Sequence, residues 1–229
     1  MPKNSISLMT KAFAVLKKDM QCEFRTRYAL NAIMLFGITT LTVVSFSVGQ
    51  KNLPAEVHAA LFWIIIFFSA MSGLAQVFIR EEEAKTSTVL RLTASPTAVY
   101  IGKLTFNLFL LFFLELIISP LFILMTDVEV RNILLLATVL ALGAIGLAGA
   151  TTLIAAIISK SGAKGALFSV LSFPILLPLL MGAIKATTVA FSDTGGGFSD
   201  VSSELQLLIS YGVIMITASL LLFEYVWEE

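Results

Sequence analysis

Arg80-Glu81-Glu82-Glu83-Ala84-Lys85-Thr86-Ser87-Thr88-Val89-Leu90-Arg91-Leu92-Thr93-Ala94-Ser95-Pro96, running on to Lys103, is the hydrophilic stretch on which the fold of this chain turns. One apolar run ends just before it at Ile79, and another begins just after it at Leu104. Each is near the ~20 residues that a helix needs to cross a bilayer. The stretch is therefore a connection between two spans, far longer and more charged than a turn requires. A connection of that kind implies that something outside the membrane holds it.

Composition agrees with that reading. The 229 residues are 58% hydrophobic and 13% charged, with a mean hydropathy of +0.95; soluble domains are nearer 45–50% and about 25%. The chain reads as an integral membrane protein. Fifteen Lys and Arg balance fifteen Asp and Glu, so no global field favours nucleic acid, and only the local distribution of charge informs. The single Cys22 excludes an internal disulfide, and with one histidine, His58, there is no all-His/Cys metal site. The first apolar stretch is broken by Lys17, Lys18, Asp19 and Glu23, which is unlike a cleavable signal peptide.

Working outward, residues 4–27 place Ile6, Met9, Phe13, Leu16, Met20 and Phe24 at spacings of three and four, on one side of a helix. Lys11, Lys17, Lys18, Arg25 and Arg27 make it basic. This predicts an amphipathic helix lying in the membrane interface. Six apolar runs follow: Ala29–Gly49, Ala59–Ile79, Leu104–Met125, Ile133–Ile158, Ala166–Ile184 and Leu205–Val226. Because the backbone in lipid must bond to itself, each is expected to be helical. The fold class is thus an all-α integral membrane protein with one interfacial helix and six transmembrane helices in a single domain spanning 1–229. Twelve basic residues fall in the N-terminal, 80–103 and 159–165 segments, against Lys51, Arg131 and Lys185 in the others. That asymmetry predicts both termini, and the 80–103 loop, in the cytoplasm. Tyr28, Tyr225 and Trp227 at one set of span ends, and Trp63 and Tyr211 at the other, fit aromatic belts.

Several residues inside the apolar runs stand out. Glu115 sits near the middle of the third span, with Pro120 five residues on and Asn107 eight residues earlier on a neighbouring face. An acid at that depth is expected to face the bundle interior or a partner subunit. Gly143, Gly146 and Gly149 with Ala144, Ala148 and Ala150 form a small-residue face for close helix packing, within the chain or between protomers. They lack the Lys-Ser/Thr of a phosphate loop. Pro174 and Pro178 predict a kinked or interrupted fifth span. Asp193 and Asp200 are a weak metal signal on their own, and His58 stands beside Glu56 at a span end.

The order of these features resembles the haem exporter B family, CcmB, of ABC-2-type permeases. The resemblance is carried by Lys18-Asp19 with Glu23-Phe24-Arg25, by Leu61-Phe62-Trp63-Ile64, and by the acidic loop with Thr, Leu and Ser-Pro leading to Tyr100-Ile101-Gly102-Lys103 and Asn107. Glu115-Leu116 with Pro120, the paired Pro174 and Pro178, and the ending Phe223-Glu224-Tyr225-Val226 extend it. Lys85 departs from it, standing where such loops often carry Gly. The resemblance implies a non-catalytic permease subunit in the bacterial inner membrane, a homodimer among membrane lipids. It would be carried on a CcmA-type ATPase, with CcmC- and CcmD-type subunits and a CcmE-type haem chaperone alongside. ATP would belong to the partner and haem to the complex, since this chain has no clear cofactor or metal motif. By the same analogy Glu81, Glu82, Glu83, Leu90, Leu92 and Pro96 would couple to the ATPase, and Glu115, Asn107, Pro120, Pro174 and Pro178 would act within the membrane. An ABC-2 exporter of a lipid, glycan or drug shares the topology, but the short outer loops and few intramembrane polar groups favour it less. A proton-coupled carrier or intramembrane enzyme built on Glu115 would need a second ionisable group at matching depth.

Overall fold

Eight helices, and no strand, make up the described residues of the computed structural model, which are 7–48, 53–74, 78–79, 81, 85–160, 166–192 and 196–228. In chain order they are α1 (Leu8–Thr26), α2 (Tyr28–Val48), α3 (Ala55–Leu74), α4 (Ser87–Thr93), α5 (Pro96–Thr126), α6 (Ile133–Lys160), α7 (Ala166–Phe191) and α8 (Ser202–Glu228). All but α1 and α4 are long and apolar enough to span a membrane, so the chain is a multi-pass membrane protein. Of the residues named above, Ile6, Gly49, Lys51, Arg80, Glu82, Glu83, Ala84 and Asp193 lie outside the described set.

The helix limits differ from the apolar runs where local chemistry overrides hydropathy. Helix α5 begins at Pro96, well before the run at Leu104, because Ser95 is extended (φ −67°, ψ 149°) and Pro96 opens the helix. Proline's fixed φ suits the first helical position, and its missing N–H is not needed there. The connection between spans is correspondingly shorter than 80–103, and Lys103 lies within a helix. Helix α7 continues past Ile184 to Phe191, with Lys185 exposed on its flank, where a long stem can carry the charge to the interface. Pro174 and Pro178 do not interrupt α7, which runs through both. Both prolines are exposed, and the Ile175 carbonyl beside them accepts a 2.9 Å hydrogen bond from Tyr211 Oη on α8. Side chains on a neighbouring helix commonly serve backbone groups that proline loosens.

Between lipid-embedded helices the hydrophobic drive is weak, and close fit decides which faces meet. The small face of α6 supplies that fit within the chain. A Cβ on Gly143 would come 2.2 Å from Trp63 of α3, one on Gly146 2.5 Å from Leu179 of α7, and one on Gly149 3.1 Å from Ile216 of α8. Trp63 is fully buried and its indole N–H donates to Thr187 Oγ1 of α7 at 2.8 Å, so it is a core residue and not part of an aromatic belt. Helix α5 is the hub, packing on α1, α2, α3, α6 and α8.

Candidate functional site

Among the described residues, most of the buried charged side chains gather where α1, the segment at Glu81 and the first turns of α5 meet. Glu81 is buried and is held locally by Thr86, whose N–H donates to the Glu81 carbonyl at 3.0 Å and whose hydroxyl donates to Oε2 at 2.5 Å. The turn between them passes through Lys85 at φ 54°, the left-handed backbone that glycine adopts most easily. Glu81 Oε1 accepts from Lys103 Nζ at 2.9 Å and from Lys18 Nζ. Asp19 closes the group, 3.0 Å from Lys18 and 3.1 Å from Lys103. Lys103 is 1% exposed, and its Nζ also lies 5.4 Å from the centre of the Phe78 ring.

Among the described residues, two lysines and two carboxylates meet in this knot. Its geometry explains how the charges survive burial, since a buried charge is tolerated only when paired and hydrogen-bonded. Burial alone would raise the Glu81 carboxyl, but Lys103, then Lys18 and Thr86, hold it down at about 2. Burial works against the Lys18 ammonium too, and Asp19 and Glu81 outweigh it and raise its pKa above the ordinary lysine value. At the neighbouring position on α1, Glu23 is buried and its Oε1 accepts from the Leu30 N–H of α2 at 2.9 Å. Gly102 lets α1 come close to α5: a Cβ there would meet the Ala12 carbonyl and Val15 at 2.8 Å.

A second clamp holds the same connection from the other side. Arg91 of α4 lies over the Trp227 ring of α8 at 5.3 Å. Trp227 stacks on Phe223 (5.5 Å, 17°), and Phe78 and Tyr100 pack against the same pair. The connection is thus pinned to α1 and α5 by charge and to α8 by aromatic packing.

Of the residues expected to couple outward, the structure separates three kinds. Glu81 faces inward and is engaged by this chain's own lysines. Leu90 packs against the core while Leu92, 83% exposed, and Val89, 61% exposed, point away from it. Pro96 is half-buried at the start of α5. Within the span, Asn107 is fully buried and donates from Nδ2 to Thr152 Oγ1 of α6 at 2.9 Å. Glu115 is 4% exposed, and among the described residues its Oε1 has no hydrogen-bond partner. Asn107 and Glu115 do not join; Leu111, also buried, stands between them on α5. Pro120, Pro174 and Pro178 are all exposed. His58 is buried, edge-on to Phe122 at 6.4 Å. Among the described residues no three His, Cys, Asp or Glu side chains converge as a metal site requires.

Sequence reasoning did not find the knot. Lys18-Asp19 and Lys103 were visible in separate motifs with nothing to pair them, and the pairs lie 63 and 84 positions apart. The available signal was the placement of Asp19 and Glu23 four apart on α1, the spacing of a shared helix face.

Two comparisons with known proteins bear on this arrangement. The model of the family described as CcmB protein matches residues 10–225, which takes in the knot, the connection and all six spans. Among curated proteins nothing matches.

Proposed function

The chain belongs to the CcmB family, the membrane component of haem export for cytochrome c maturation, and from that premise we propose that its α3–α5 connection receives a partner ATPase. Members take part in the Ccm complex as transporter permease subunits. In this reading the chain sits in the bacterial inner membrane with α1, α4 and both termini in the cytoplasm. It pairs with a second copy and with a CcmA-type ATPase, and CcmC-, CcmD- and CcmE-type proteins handle the haem.

The observation that supports the reading is the split between the two sides of the connection. Outward, Val89 and Leu92 offer largely exposed apolar side chains. Inward, Glu81 is tied to Lys18 of α1 and Lys103 of α5. A push on α4 therefore reaches two helices at once through ionic contacts, and a third, α8, through Arg91 on Trp227. Transmission of this kind is an equilibrium bias. The nucleotide-bound ATPase must fit one arrangement of α4 better than the other, and it can shift the balance only by that difference in affinity. Glu115, Asn107 and Pro120 lie along α5, which would respond directly, and Pro174 and Pro178 lie on α7, which packs against α8. Haem and ATP are cargo and fuel of the complex, held by other subunits.

Leu92→Glu tests the docking role. The substitution is on an exposed position, so the chain is expected to accumulate normally in membranes while co-purification of the ATPase and production of cytochrome c fall at least tenfold. Normal co-purification with Leu92→Glu, and with Val89→Glu added, would remove α4 as the contact.

A further inference from the structure

Helix α1 has three rows of side chains, of which the fold fully buries one. At about 100° per residue, Ala12, Val15, Asp19 and Glu23 share a sector, and all four are buried. Met9, Phe13 and Phe24 lie in a second sector and are 70%, 65% and 59% exposed, while Met20 in the same sector is half-buried against the core. Lys11, Lys17 and Arg25 form a third, with Lys17 and Arg25 exposed and Lys11 half-buried. Both carboxylates of α1 lie in the packed row. The basic row therefore has no acid of its own, and Lys18 beside it is drawn into the knot.

The depth of α1 is fixed at two points. Residues 104–126 of α5 rise about 35 Å, enough for a hydrocarbon core of about 30 Å. Gly102 and Lys103 then sit at headgroup level, and α1 touches them through Ala12, Val15 and Asp19. At its other end α1 turns at Arg27 (φ 53°) directly into α2, whose 21 residues rise about 31 Å and leave no slack to carry α1 away from the surface.

We propose that α1 is a binding surface for anionic phospholipid headgroups in the leaflet on its own side. Met9, Phe13 and Phe24 enter the boundary between headgroups and acyl chains, and Lys11, Lys17 and Arg25 collect lipid phosphates along the opposite flank. An amphipathic helix with this division binds by apolar burial together with attraction to anionic lipid. Because Lys18 leaves the same helix to join Glu81, the lipid composition of that leaflet bears on the element that holds the α3–α5 connection.

The chain's one cysteine makes the test direct, since Cys22 is exposed on α1. The full-length protein, labelled there with a fluorophore, is placed in nanodiscs of neutral lipid. To these is added a small, equal fraction of either phosphatidylglycerol or phosphatidylcholine carrying a nitroxide near the top of one acyl chain. Each basic residue near a surface favours anionic lipid by roughly fivefold. Quenching by the phosphatidylglycerol should therefore exceed that by phosphatidylcholine by at least fivefold at low salt. The excess should vanish in high salt and in the triple variant Lys11→Gln, Lys17→Gln, Arg25→Gln. Equal quenching by the two lipids in the unsubstituted protein would overturn the proposal. So would the absence of quenching by either, which would assign the exposed rows of α1 to a protein partner.

Discussion

Lys103 and Glu115 lie three turns apart on α5, both almost wholly buried, and they are treated in opposite ways. Lys103 meets two carboxylates from two other segments and the face of an aromatic ring. Glu115 has an Oε1 with no partner among the described residues. The first is a joint, where a charge is buried because three segments must be held together. The second has one carboxyl oxygen that meets no donor among the described residues, and is a candidate for work at another stage of the transport cycle.

The comparison breaks most readily at the knot. Lys103→Met leaves Asp19 and Glu81 facing each other with one shared lysine, and removal of one partner of a buried ion pair costs about 3–5 kcal/mol. Thermal unfolding of the purified protein should show a loss of that order. In a double-mutant cycle with Asp19→Asn the two effects should fall well short of adding, by about 0.5–3 kcal/mol, because contacting residues couple. Full additivity would mean that Lys103 and Asp19 do not act as a unit.

Glu115→Leu should move in the other direction. An unpartnered buried polar atom carries a desolvation cost of about 1–3 kcal/mol, and its replacement by an apolar side chain should leave the protein as stable or more so. Cytochrome c production should nevertheless fall, since the family reading places this acid in the responding helix. A variant both less stable and fully active would reverse the contrast with Lys103.

The smallest effect is in pH. Glu81 is held at about 2, below its ordinary value, so its contribution is complete above the usual carboxylate range and is lost as pH falls from about 4.5 towards 2. Lys18 is raised, so its contribution is complete up to the ordinary lysine value and is lost only as pH climbs beyond it. The contribution of this pair to stability should be flat across the neutral range and decline at both ends. With Glu81→Gln the acid-side decline should weaken.

The helices and their limits were largely legible in the sequence because hydropathy is a property of each run by itself. Where the limits moved, a single local feature moved them: Pro96 opens α5 early, and Lys185 is carried on the flank of α7. Pro174 and Pro178 were misleading as a break, because their exposed edge and Tyr211 of α8 let the helix continue. The knot was illegible for a different reason. It joins residues from three segments, and no local pattern states which lysine meets which acid. Lys18-Asp19 and Gly102-Lys103 were visible in the sequence as separate pairs, and only the fold shows that they are two halves of one contact.

The account stands or falls on the α3–α5 connection lying on the ATPase side of the membrane with α4 open to a partner. A protein with Cys22→Ser and Leu92→Cys, treated with a membrane-impermeant thiol reagent, measures this most directly. Intact cells should give no labelling, inverted vesicles should label fully, and restoring the ATPase to those vesicles should protect the site. Labelling of Cys-substituted Leu92 in intact cells would place the connection on the opposite side and contradict the account.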